Sequence, residues 1–237
     1  MKILLTATAT LFCMAAFAQH NKLTHGEKAE GWKLLFDGET TKGWHSFNKK
    51  EAGPAWLVKN GELYLDTTQK AGWQTEGGGD LTSEKKYSNF HLKLEWKIAK
   101  GGNSGIIFYV QEDGKHDYCW QTGPEMQIVD NENHEDGKLI KHQAGDLYDL
   151  ISCYQKTVKP AGEWNLAEII CDNSNLTLKL NGVKVVSTKM WGANWIKLVK
   201  GSKFNDMPDF GKFQSGKISL QDHGNMVSFR NIKIKEL

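Results

Sequence analysis

The chain has 237 residues, 24% of them charged and 39% hydrophobic, with a formal net charge of +2. That length suits a single domain, and the near-balanced charge excludes the basic footprint of a nucleic-acid binder. Nine Trp and 24 Gly stand against four Pro, a balance that fits an aromatic-rich β protein with many tight turns.

The first stretch, MKILLTATATLFCMAAFAQ, has one lysine, an apolar run and then Ala16-Phe17-Ala18. This is the pattern of a secretory signal cut after Ala18, too short for a spanning helix. The bulky Phe12 before Cys13 speaks against a lipoprotein anchor, and cleavage removes Cys13 with the leader. Cys119, Cys153 and Cys171 remain. Three thiols allow at most one disulfide, match no zinc spacing, and read best as small buried hydrophobes. Residues 19–30 read as a polar linker and 31–237 as one domain.

From there short alternating segments follow one another. WLVKNGELYLD is a hairpin turning at Asn60-Gly61. FHLKLEWKI sets Phe90, Leu92, Leu94, Trp96 and Ile98 on one face and charged residues on the other, the period of a half-buried strand. GGNSG, from Gly101 to Gly105, is a turn with no helix behind it. NLTLKLNGVKVVS is a second hairpin at Asn181-Gly182, whose residues tolerate the positive φ of a tight turn. GKISLQDHGNMVSFRNIKIKEL gives two strands around Gly224. No segment has a long helical period, so the expected class is all-β, a sandwich or a barrel.

Six pieces occur in order: LLFDGETTKGWHSF, NFHLKLEWKIAKGGNSGIIF, GPEMQIVDN, HQAGDLYDLI, GEWNLAEIICDNSNLTLKLNGVKVV and ISLQDHGNMVSFRNIKIKEL. Together, over Gly31 to Leu237, they resemble the bacterial 3-keto-disaccharide hydrolase family. The resemblance implies a concanavalin A-like jelly-roll sandwich of two antiparallel sheets with a concave ligand face. It also implies a secreted or periplasmic enzyme that breaks the glycosidic bond of sugars oxidised at C3, by hydrolysis or by elimination followed by hydration. Fold alone does not fix the reaction.

A ketone at C3 makes the C2 proton acidic. A base can remove it, an enolate forms, and the C1 substituent leaves. Such a site needs a base near C2, an electrophile near the C3 oxygen and an acid near the leaving oxygen. In GPEMQIVDN, Glu125 and Gln127 share one strand face while Met126 and Ile128 share the other. With the apolar pair packed between sheets, the polar pair lines the open concave surface, Glu125 as general base and Gln127 as a positioning group. Glu125, Gln127 and Asp130 also resemble the three-acid strand of laminarinase-type retaining glycosidases, where a bulge returns the last acid to the first two. Gln127 and Asp130 depart from that pattern, which weakens a double-displacement mechanism.

His142 and His223 are the candidate acid or electrophile, each able to shuttle a proton near neutrality. Tyr148, Gln221 and Trp120 are candidate sugar-binding groups with Gln127 and Asp130; Trp73, Trp191 and Trp195 are further candidate platforms. Asp222 reads as turn support. The acid-rich run from Asp130 to Gly137 does not match a calcium-binding loop spacing. No organic cofactor is implied, and a divalent cation assembled from distant residues stays open. The expected partner is an oxidised mono- or disaccharide, with no nucleic acid and no membrane anchor. Two rivals are a non-catalytic carbohydrate-binding module and a conventional retaining β-glycanase.

Overall fold

The computed structural model describes residues 20–237, so the expected signal sequence, including Cys13 and the expected cut after Ala18, lies outside the described residues. Two antiparallel sheets carry the fold, with strands numbered in chain order. The eight-stranded sheet runs β13 (Val183–Lys189), β12 (Asn175–Leu180), β11 (Asn165–Asp172), β8 (Phe90–Ile98), β15 (Val227–Glu236), β4 (Glu62–Leu65) and β3 (Trp56–Lys59), with β1 (Lys33–Leu34) pairing beside β15. The five-stranded sheet runs β10 (Glu125–Val129), β9 (Asn103–Val110), β14 (Lys217–Leu220), β7 (Leu81–Ser83) and β2 (Trp44–Ser46). A small ribbon pairs β5 (Lys70–Ala71) with β6 (Gln74–Thr75). The all-β class is as expected from period and turns, and the two-sheet sandwich is as the resemblance implies.

The two hairpins form where the turn residues place them. Asn60 and Gly61 adopt φ of 54° and 76°, and Asn181 and Gly182 adopt 52° and 82°. Strand β8 buries every second residue along its whole length. Its Phe90, Leu92, Leu94, Trp96 and Ile98 pack in one continuous core with Met126, Ile128, Leu176, Leu178, Phe229 and Ile234. Each such side chain withdrawn from water contributes about 1.5–3 kcal/mol.

The sheets differ in how they meet solvent. On β8 the second face is half-buried, whereas β2, β7, β9 and β10 are buried on both faces. One face of the five-stranded sheet meets the core, and the other lies under loops. Glu125 and Gln127 are thus 5% and 1% exposed, beneath a roof and not on an open surface as the alternation alone suggests.

Three features depart from the sequence reading. Part of the segment read as a linker is folded: α1 (His25–Ala29) begins with a capping box at Thr24, and the backbone N–H groups of Asn21 and Asn231 each donate to the other's side-chain oxygen. A second helix, α2 (Ala193–Lys200), buries Trp195. Finally, Asn103–Gly105, read as part of a turn, open strand β9. Strands β14 and β15 flank Gly224 as read and belong to different sheets, so residues 221–226 carry the chain from one layer to the other. Cys119, Cys153 and Cys171 are buried free thiols. No helix among the described residues is long and apolar enough to cross a membrane.

Candidate functional site

Over the buried polar face of the five-stranded sheet lies a cleft of about 380 Å³. Its floor comes from β10. The register with β9 is regular, with Glu125 opposite Ile107 and Gln127 opposite Gly105. Met126 and Ile128 therefore turn into the core at 1% and 0% exposure, and Glu125 and Gln127 turn into the cleft. The Glu125 carboxyl has room because the neighbouring residue is glycine: a Cβ on Gly105 would stand 2.0 Å from Glu125 Oε1.

That carboxyl has no hydrogen-bond partner among the described residues. Burial raises it from the usual carboxylate range to about 8; Lys203 pulls the other way, and the negative charges of Asp80 and Asp136 add to the rise. A carboxyl held this way is a base suited to working near neutral pH. Beside it, Gln127 Oε1 accepts from the Ile128 N–H at 3.1 Å, which fixes the amide and directs its other end toward the cleft.

One wall is polar. The Tyr148 N–H donates to the Glu125 carbonyl at 3.0 Å, joining the wall to the floor. Lys203 Nζ donates to the Tyr148 hydroxyl at 3.0 Å and stands 4.1 Å from its ring centre. Burial, with Glu125 next, pushes the Tyr148 hydroxyl upward, so it keeps its proton. Two acceptors are orphaned at the cleft: Asn103 Oδ1 and Gln221 Oε1 are buried without a partner. Asn103 is held by its other end, donating to Asp136 Oδ2 at 3.1 Å. Buried polar atoms are nearly always paired, so two orphans in one cleft mark places for a ligand's donors.

The opposite wall is aromatic. Trp120 stacks on Tyr118 with ring centres 5.1 Å apart, and Trp73 lies 5.5 Å from Tyr118 and 5.6 Å from His223. Burial lowers the His223 pKa, with His134 adding to the effect, so the ring is neutral at pH 7. Trp73 sits on the β5–β6 ribbon, which Asp222 ties down. The Asp222 carboxylate accepts from Thr75 N, Thr75 Oγ1, Gly79 N and Gly224 N at 2.8–3.0 Å. Asp222 thus supports the turn around Gly224, as its place before that glycine suggests. Phe204 and Met207 complete the rim.

Seven of the eleven sequence-derived candidates line this cleft: Glu125, Gln127, Tyr148, Gln221, His223, Trp120 and Trp73; Trp191 and Trp195 line a separate groove. Gln221 and His223 reach the cleft from beyond the end of β14, although Gln221 N still donates to the Gly105 carbonyl at 2.9 Å. His142 and Asp130 are placed elsewhere. His142 packs behind Tyr148, ring centres 4.4 Å apart, with Nδ1 3.5 Å from Asp136 and Nε2 3.2 Å from Asp149. It is situated to hold Tyr148, not to touch a ligand. Asp130 follows the end of β10, and no bulge returns it to the Glu125 face. Its carboxylate instead closes its own turn, accepting from Gly101 N at 2.8 Å, Glu132 N at 3.1 Å and Asn133 Nδ2 at 2.8 Å. Asn103 and Lys203 had no signal in the sequence beyond turn-rich surroundings, and their side chains meet the cleft only through tertiary packing. Among the described residues no three His, Cys, Asp or Glu side chains are grouped as a metal site. A cation could draw on Glu125 and the two orphaned oxygens.

Residues 31–235 match the model of the 3-keto-alpha-glucoside-1,2-lyase-like domain. The chain belongs to this family. A 3-keto-disaccharide hydrolase of Bacteroides thetaiotaomicron is 35% identical over 230 residues, covering 88% of this chain and 79% of that protein. A crystal structure of a protein from Parabacteroides distasonis, described as a glycosyl hydrolase, is 35% identical with a TM-score of 0.83, covering 92% of this chain and all of that one. A Bacillus subtilis protein of galectin-like fold, 10% identical with a TM-score of 0.52, covers 92% of this chain and 95% of its own; it supports the jelly-roll architecture and nothing more. Membership of the 3-keto-alpha-glucoside-1,2-lyase-like family makes the protein a carbohydrate-active enzyme.

Proposed function

We propose that the protein cleaves the glycosidic bond of 3-keto-glycosides, 3-keto-disaccharides among them, beginning with removal of the C2 proton by Glu125. The observation that carries this reading is the Glu125 carboxyl: buried, unpartnered, raised to about 8, and facing a saccharide-sized cleft. The names of the family and of its relatives support the substrate class.

In this reading the Glu125 carboxylate takes the proton from C2. The electron pair moves onto the C3 oxygen, where the Tyr148 hydroxyl donates and Lys203, 3.0 Å behind it, offsets the negative charge. The enolate then expels the C1 substituent, forming a C1–C2 double bond. The proton carried by Glu125 passes to the leaving oxygen, which the neutral His223 ring orients with its N–H. Water adding across the double bond, hydroxyl to C1 and proton to C2, completes a net hydrolysis; release before addition leaves the unsaturated sugar. Asn103 and Gln221 accept hydroxyl hydrogens of the bound ring. A double displacement would need a second carboxylate about 5–5.5 Å from the first, and Asp130 is engaged in its own turn. The signal-like leader supports export to the periplasm or beyond as part of the same reading.

The test is a 3-keto-disaccharide incubated in heavy water with the wild type and with Glu125→Gln, with and without chelator. Wild type is expected to place deuterium at C2 of the product, and Glu125→Gln to lose about 10²–10⁴-fold in kcat. Near wild-type turnover by the variant, or a hydrated product with no deuterium at C2, overturns the mechanism. Loss of activity with chelator adds a cation at the C3 oxygen.

A further inference from the structure

Away from the cleft, one corner of the sandwich is strained and open. Two bulky residues there occupy the left-handed region of backbone space: Tyr109 at φ 59° and Trp191 at φ 65°. Their rings pack 5.8 Å apart, and the Tyr109 hydroxyl donates to the Ser88 carbonyl at 2.6 Å. The pairing of β9 with β14 shifts register at the same corner, between Lys217 and Ser219. Gly216 lets the chains pass, since a Cβ on it would stand 2.2 Å from the Tyr109 backbone. Bulges and left-handed bulky residues are kept where a surface has a task.

The corner encloses a hollow of about 540 Å³. Trp191 and Phe213 give it aromatic faces, and Asn89, Asn173, Ser174 and Gln214 give it a rim. No charged side chain is among its lining residues. The Asn89 oxygen is taken by the Asn173 N–H at 2.9 Å, which orients the Asn89 amide, while the Ser174 hydroxyl and the Gln214 side chain have no partner among the described residues. Neutral amides and hydroxyls around an aromatic face recognise a molecule with apolar ring faces and a hydroxyl edge, and offer nothing to an anion or a cation. A groove of about 400 Å³ shares Trp191 with the hollow and Met207 with the cleft.

We propose that the hollow at Trp191 is a second binding site, for a neutral, unoxidised saccharide chain. The proposal goes beyond the reaction assigned above and does not depend on it.

The test uses the full mature chain with maltopentaose, cellopentaose and laminaripentaose, followed by NMR of the tryptophan indole and side-chain amide resonances. At least one pentasaccharide is expected to shift the Trp191 indole and the Asn89 and Asn173 amides. Trp191→Ala is expected to weaken that binding about tenfold or more and to leave turnover of the small substrate unchanged. Should Trp191→Ala fail to fold, the half-buried Ser174→Ala with the exposed Gln214→Ala gives the same readout. Shifts confined to Trp73 and Trp120, or no shift with any of the three sugars, overturn the proposal. Failure of the deuterium experiment with binding at Trp191 intact would remove the reaction and leave this site standing.

Discussion

At the scale of single residues, the site is built on the missing side chain of Gly105 as much as on Glu125. The 2.0 Å approach between a Gly105 Cβ and Glu125 Oε1 means that the Glu125 side chain must shift to admit one. Gly105→Ala is therefore expected to drive the carboxyl from its pocket, lowering kcat at least about tenfold and destabilising the fold by about 1–3 kcal/mol. Single-turnover rates and chemical denaturation check the two effects. An unchanged kcat would mean that the carboxyl acts from another position. The alternation in GPEMQIVDN foretells which face Glu125 takes, because period two survives any tertiary context. It does not foretell Gly105, since one glycine in a turn-like GGNSG says nothing of what lies across the strand. Nor does it foretell Asp130, whose acid reads as chemistry in the sequence and serves as a turn clasp in three dimensions.

Elements were legible to the degree that their pattern was local. The hairpins at Asn60-Gly61 and Asn181-Gly182 and the strand β8 fall where turn chemistry and alternation put them. Helix α2 escaped notice because it spans only Ala193–Lys200 and buries just Trp195; so short a run has little period to show, and packing against the sandwich stabilises it. The β5–β6 ribbon is shorter still and depends on one side chain. Asp222 satisfies three backbone N–H groups and the Thr75 hydroxyl. Asp222→Asn removes the charged acceptor and is expected to cost about 2–4 kcal/mol. It should also free Trp73, so KM rises more than kcat falls. Equal loss in both parameters, or none, would show that the ribbon is held by other means.

For the molecule as a whole, the choice that matters is the double burial of the five-stranded sheet. It places a carboxyl in a dry setting, and the sign of the resulting linkage follows directly. Between about 4.5 and about 8 native Glu125 holds a proton that the unfolded chain has released. Stability therefore falls as pH rises through that window and levels above it. Asp80, raised to about 6 first by its burial, adds to the fall at the lower end. Glu125→Gln has no such proton to lose. Its melting temperature is expected to match the wild type near about pH 4 and to exceed it near about pH 9, measured by calorimetry across the range. Parallel curves would mean that Glu125 is ionised in the native state throughout. The all-β class was readable from period and turns, and the sandwich from the resemblance. The roof was not, because loops declare their contacts only once the layers beneath them have assembled.

The crossing from β14 to β15 takes on a further meaning here. That short bridge contains Gln221 and His223, which look into the cleft, and Asp222, which grips the ribbon from behind. A sugar seated against it presses on the seam where the two halves of the shell are stitched together. Occupancy and mechanical cohesion must then rise in step, and an enzyme engaged with its meal will be the harder one to pull apart.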